Sequence, residues 1–258
     1  MEEYVTRCYD SLASQKNAND VEFIFINDGS TDGTLSILLE IKSKDRRVIV
    51  IDQDNKGVSN ARNRGLEIIR GQYVYLLDSD DYLPGDVIDT LKNIVNFHSP
   101  DVIIPAYNLS KNGNEKFVPL VINEDLYNKQ DFFECIDYFP TANQLVYRSD
   151  IIKQHNVRFD ESIKCGEVYT FTISFLKYVN NIYALNKPGF NYFQREDSAT
   201  HAANYMNDRT VVNALVSIYS NGSDLTKYSS FIITAYLLMM GFTYSKYLKI
   251  NYSKKEIL

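Results

Sequence analysis

Short apolar runs alternate with longer stretches of helical spacing through the first 110 residues. VEFIFIND (21–28), RVIVIDQ (47–53), YVYLLDSD (73–80) and DVIIPAYNLS (101–110) are the runs, and the first three end in polar residues. Between them, STDGTLSILLEIKSK (30–44), VSNARNRGLEIIRG (58–71) and GDVIDTLKNIVNF (85–97) repeat apolar side chains at the spacing of one helix face. Apolar strands alternating with amphipathic helices predict an α/β fold, a Rossmann-like, mostly parallel sheet buried on both faces by helices. Beyond residue 110 the pattern loosens. SKNGNEK (110–116) predicts a hairpin, and residues 203–258 read as a helical C-terminal extension. In such sheets ligands bind at the carboxyl ends of strands, where Asp28 and Asp78 both fall.

Composition narrows the setting. With 258 residues, 45% of them hydrophobic, the chain can bury a real core as one large domain or a domain with an appendage. A net charge of −6 argues against a nucleic-acid binder, which needs a basic face to displace counterions. The three cysteines, Cys8, Cys135 and Cys165, include no CxxC pair, which suits a reducing cytoplasm and supplies neither zinc site nor disulfide framework. MEEYVTRCYD lacks the layout of a signal peptide, and FIITAYLLMMGF (231–242) is about half the length of a membrane span. The expectation is a soluble cytoplasmic protein. The stretch 231–249 reads as a buried helix, with peripheral contact to the inner face of a membrane or to a partner subunit as the alternative.

In YVYLLDSDDYLPG (73–85), Asp78, Asp80 and Asp81 crowd into four positions with no cation among them. A D-x-D at a strand end can hold Mg²⁺ or Mn²⁺, whose arrival relieves the repulsion. Taken alone, a solvated acidic turn is the commoner explanation. An EF-hand is excluded, because the ligand spacing and the terminal Glu are absent.

Five segments together resemble the family 2 glycosyltransferases, enzymes of GT-A fold that use nucleotide-sugar donors. They are FIFINDGSTDGT (23–34), DNKGVSNARNRGL (54–66), YVYLLDSDDYL (73–83), RFDESIKCGEVYTF (158–171) and NYFQREDSAT (191–200). The likeness covers roughly residues 1–200, so the transferase domain is expected to span 1–202. The resemblance implies a UDP-sugar donor, a Mn²⁺ or Mg²⁺ cofactor and a glycan or lipid-linked acceptor, with inversion at the sugar. It implies that Asp28 accepts a hydrogen bond from the nucleotide base, the alternative being a turn or helix cap. Arg62 would pair with phosphate or with an Asp of the site, or else form a structural salt bridge. Asn55 and Gly57 would shape the nucleotide loop. Asp80 would ligate the metal, Asp78 would bind ribose or complete the metal shell, and Asp81 would cap the next helix. Arg195, Ser198 and, more weakly, His201 would lie on a loop closing over the donor, with Arg195 near the diphosphate. Tyr192 reads as core.

Two departures from the family pattern bear on activity. Where the family has a Glu-Asp pair whose Asp is the usual base, this chain has Glu167 and Val168. Glu167 is then the candidate catalytic carboxylate, and an Asp at 168 is expected to raise turnover. The family also begins with a strand and a Pro-x-Tyr-Asn turn ahead of a helix like EEYVTRCYDSLASQ (2–15), and no such strand precedes that helix here. A late-assigned start is the favoured explanation; if the chain does begin at Met1, the absence would bare two strand edges in the middle of the sheet, and instability or a homo-oligomer is expected. The leading function is an active transferase in bacterial surface glycan synthesis. The alternative is a catalytically impaired relative that binds nucleotide sugars or acts as a scaffold. A sugar-phosphate nucleotidyltransferase lacks support, since no Gly-rich basic loop is found.

Overall fold

The structure, a computed structural model, describes residues 1–111, 114–135, 140–163 and 166–194. The expected helical extension, 203–258, lies outside the described residues.

The alternation read from the apolar pattern forms in order: α1 (Glu2–Ala13), β1 (Phe23–Asp28), α2 (Thr34–Lys44), β2 (Val48–Gln53), α3 (Val58–Ile68), β3 (Tyr73–Tyr75), α4 (Val87–His98) and β4 (Val102–Lys111). Each helix turns one stripe inward. In α4 the stripe is Val87, Leu91 and Ile94, four and three residues apart. In α1 it is Val5 and Cys8, and Glu2 and Glu3 occupy the first turn, where the helix dipole favours anions. The second half adds β5 (Asn114–Val118), β6 (Asp125–Asn128), α5 (Lys129–Cys135), β7 (Val146–Arg148), α6 (Ser149–Gln154), α7 (Glu167–Leu176) and β8 (Asn181–Phe193). The hairpin expected at 110–116 is the antiparallel β4–β5 pair, with Lys111 opposite Asn114.

The strands divide into two sheets. β1 and β2 pair in parallel, from Phe23 opposite Val48 to Asp28 opposite Gln53. The other sheet has the order β3-β7-β4-β8-β6, with β5 also on β4. There β4 and β8 run parallel, whereas β7 enters antiparallel between β3 and β4, and β6 lies antiparallel on β8. Its main core lies on one face: Val102, Ile104, Tyr147, Phe171, Phe175 and Ile182 are fully buried.

Between β1 and β3 lies a cavity of about 1090 Å³, lined by both strand edges, by Cys8 and Leu12 of α1, by Gly65 and Leu66 of α3, and by Leu91 and Val95 of α4. Its floor is tied by Glu22, which accepts from Arg70 N (2.7 Å) and Arg70 Nε (3.0 Å), joining the residues just ahead of each strand. Among the described residues no strand pairs with the facing edge of either β1 or β3. A strand and its packed side chains fill roughly 160 Å³ per residue, so the cavity has the volume of about six or seven strand residues. The same gap explains why β3 stops at Tyr75 although apolar character runs on. Its ladder to β7 ends at Val146, and Leu76 and Leu77 line the cavity instead.

Candidate active site

The carboxyl ends of β1 and β2 build the first part of the site. Asp28, the last residue of β1, accepts from the main-chain N–H groups of Lys56 and Gly57, each at 2.8 Å, and from Gln53 Nε2 at 2.8 Å. The carboxylate therefore organises the loop that opens α3. Gly29 follows with φ +67, and a Cβ there would come within 2.6 Å of Asn55 N, so only glycine lets the two loops touch. Asn55 is exposed at this rim, and Gly57 has φ +91. Asp28, Asn55 and Gly57 are thus brought together.

The acidic loop after β3 forms the second part. One oxygen each from Asp78, Asp80 and Asp81 lie within 4.8 Å of one another, an all-oxygen set of the kind a hard divalent cation takes. The three carboxylates are held differently. Asp78 Oδ1 accepts from Arg62 Nη2 at 2.9 Å and its Oδ2 from Asn143 Nδ2. Asp80 is fixed through its main chain, its carbonyl accepting from Arg7 Nη2 at 2.7 Å. Asp81 is 1% exposed and accepts from the Phe193 N–H at 2.9 Å. Burial pushes its pKa up to about 8; the Phe193 bond opposes this, and the neighbouring Asp78 and Asp80 add to it. Asp81 does not cap α4, contrary to expectation. The capping position is Asp86, and Asp81 instead joins the loop to the end of β8.

Arg62, on α3, links this loop to the acceptor-side segment. Its Nη2 reaches Asp78 while its Nη1 donates to Glu167 Oε1 at 2.8 Å. Burial disfavours the guanidinium's charge, but the two carboxylates more than offset this and raise its pKa. Glu167 is the first residue of α7, 9% exposed, where a carboxylate gains from the helix dipole. Its Oε2 has no hydrogen-bond partner among the described residues. Val168 points elsewhere, packing against the main core. An Asp at 168 would lie against that core. The segment itself is docked by Asn63, whose amide donates to Phe159 O (2.9 Å) and accepts from Phe159 N (2.8 Å). The Phe159 ring lies under the Arg62 guanidinium at 5.3 Å.

A profile of glycosyl transferase family 2 matches residues 2–154. The chain belongs to this family. It is 25% identical over 250 residues to a poly(ribitol-phosphate) beta-glucosyltransferase of Bacillus spizizenii, an alignment covering 95% of this chain and 39% of that protein. The curated relatives are longer: the chain spans between 18% and 60% of the first four it matches. Among solved structures, residues 1–349 of Staphylococcus aureus TarS in complex with UDP-GlcNAc superpose with a TM-score of 0.77 at 24% identity, over 88% of this chain and 66% of that one. The mannosyltransferase PcManGT of Pyrobaculum calidifontis, in complex with GDP-Man and Mn²⁺, gives 0.63 at 12% identity, over 91% and 66%. The fold of this family 2 chain is thus of the GT-A type.

Arg195, Ser198 and His201 lie outside the described residues. Tyr192 packs against the core cluster of α4 and β8, as expected. Cys8 is buried and Cys135 exposed, both as free thiols. No helix among the described residues is long and apolar enough to cross a membrane. Sequence reasoning missed Arg7, Gln53 and Asn143. Asn143 sits in a 3-10 turn (Ala142–Gln144) with no motif to mark it, and Arg7 looks like any polar position of an amphipathic helix.

Proposed function

We propose that this chain transfers a sugar from a UDP-sugar to a hydroxyl of a glycan or lipid-linked acceptor in bacterial surface polymer synthesis, with inversion and with metal dependence. One observation carries the reading: Arg62 donates at once to Asp78 of the acidic loop and to Glu167 of the acceptor-side segment. On this reading, donor and acceptor machinery meet beside the strand ends. The neighbours that bind UDP-GlcNAc, and GDP-Man with Mn²⁺, support the donor class, and relatives named for poly(ribitol-phosphate) support a polyol-phosphate polymer as acceptor.

In this mechanism Asp28 and the Asn55–Gly57 loop hold the nucleoside. Asp80, with Asp78 beside it, would hold Mn²⁺ or Mg²⁺, which when bound supplies positive charge beside the departing diphosphate. Arg62 keeps Asp78 and Glu167 in place. Glu167 Oε2 takes the proton of the acceptor hydroxyl as the acceptor oxygen bonds to the sugar carbon and the bond to the diphosphate breaks. A single displacement from the opposite face inverts that carbon. Arg195 and Ser198 complete the donor side in the family's pattern.

The test is incubation with a panel of nucleotide sugars and poly(ribitol phosphate), with and without Mn²⁺, reading UDP release and polymer-bound sugar. The expected result is Mn²⁺-dependent transfer from a UDP-sugar. Binding of UDP-sugars without release or transfer under any condition would favour the scaffold alternative.

A further inference from the structure

We propose that Arg7 is a positioning residue for the acidic loop: it fixes the main chain of Asp80 and through it the aim of the Asp80 carboxylate. The inference rests on the reading of Asp80 as the metal-binding carboxylate.

Arg7 comes from α1, outside the five motif segments but within the stretch that the family profile matches. Its Nη2 donates to the Asp80 carbonyl at 2.7 Å. Its guanidinium carbon lies 4.1 Å from the Phe193 ring centroid, 4.7 Å from that of Tyr82 and 5.6 Å from that of Tyr4. These rings belong to the end of β8, the acidic loop and α1, so one flat cation ties three pieces of chain together. Planarity matters here, because a guanidinium can lie along ring faces while its edge donates to a carbonyl, and an ammonium cannot.

The Arg7 charge favours the ionised form of Asp81, while its hydrogen bond goes to the Asp80 carbonyl and its plane lies among three rings. The other side of the loop is fastened separately. Phe193 N donates to Asp81, and Tyr82 and Asn191 exchange main-chain hydrogen bonds of 3.4 and 2.8 Å. β8 therefore holds Asp81 and Tyr82, and α1 holds the carbonyl of Asp80 between them and Asp78.

Positioning and electrostatics predict opposite signs. A guanidinium near a divalent cation repels it, so an Arg7 acting through charge alone would weaken metal binding, and its removal would tighten it. An Arg7 that aims the loop does the reverse. The experiment measures UDP binding by calorimetry with and without Mn²⁺, and amide hydrogen exchange over residues 78–83, in wild type, Arg7→Lys and Arg7→Leu. Both variants are expected to weaken Mn²⁺-dependent UDP binding by about fivefold or more. Both should leave metal-independent UDP binding unchanged and speed exchange over 78–83. Wild-type affinity and exchange in Arg7→Lys, or tighter Mn²⁺-dependent binding in Arg7→Leu, would overturn the proposal. If Arg7→Leu fails to fold, Arg7→Lys decides. If wild type shows no Mn²⁺ dependence, the metal reading of Asp80 fails by itself, and exchange settles the loop: faster in Arg7→Lys supports positioning, unchanged refutes it.

Discussion

The two neighbours Glu167 and Val168 show how a residue's role depends on which way the helix turns it. They are adjacent in sequence, but successive side chains on a helix diverge by about 100°. Glu167 faces Arg62 and Val168 faces the core. The Glu167→Gln variant should lower transfer by ~10²–10⁴ while leaving UDP affinity unchanged, a split that steady-state kinetics and calorimetry together would read. For Val168→Asp the expected outcome is a loss of about 2–3 kcal/mol in urea unfolding, because a charge enters an apolar contact. A faster, equally stable Val168→Asp enzyme would contradict that placement. Glu167, Asp28, Arg62 and the three aspartates stand out as candidates in the sequence because their spacing follows a family pattern. What each carboxylate is bonded to was not. Asp81 in particular is held by Phe193, more than a hundred residues away, and no local spacing encodes that.

Among the elements, β1, α2, β2, α3 and α4 appear where apolar periodicity placed them, because each buries one clear face. β3 is shorter than its apolar run, since burial makes residues apolar whether or not a ladder forms. The antiparallel insertion of β7 between β3 and β4 was not legible, because its partners lie far away in sequence. The turn from α2 into β2 carries a pH-sensitive contact. Arg47 donates from Nε and Nη2 to Asp45, at 3.0 and 2.7 Å, and Tyr9 OH donates to the same carboxylate at 3.1 Å. The Arg47 bonds come first in holding the Asp45 pKa down to about 2. A folded pKa below the unfolded value of about 3.9 means that the contribution is present above that pH. It is lost as pH falls towards 2. Asp45→Asn should therefore destabilise by about 1–2 kcal/mol at neutral pH, allowing for solvent around the pair. The deficit should shrink as pH falls from 4 to 2. A deficit constant across that range in denaturant titrations would exclude the ion pair as its cause.

Across the whole molecule, the cavity between β1 and β3 separates two sheets that run side by side, and two bared edges were the expectation from sequence. Among the described residues the two edges leave main-chain donors and acceptors without strand partners. The central claim is the metal-assisted sugar-nucleotide site at the strand ends, and its most direct test is a calorimetric titration of UDP into wild type and Asp80→Asn, each with and without Mn²⁺. The account predicts that Mn²⁺ tightens UDP binding to wild type by about tenfold or more and that Asp80→Asn abolishes this gain. Equal UDP affinity in all four titrations would contradict it.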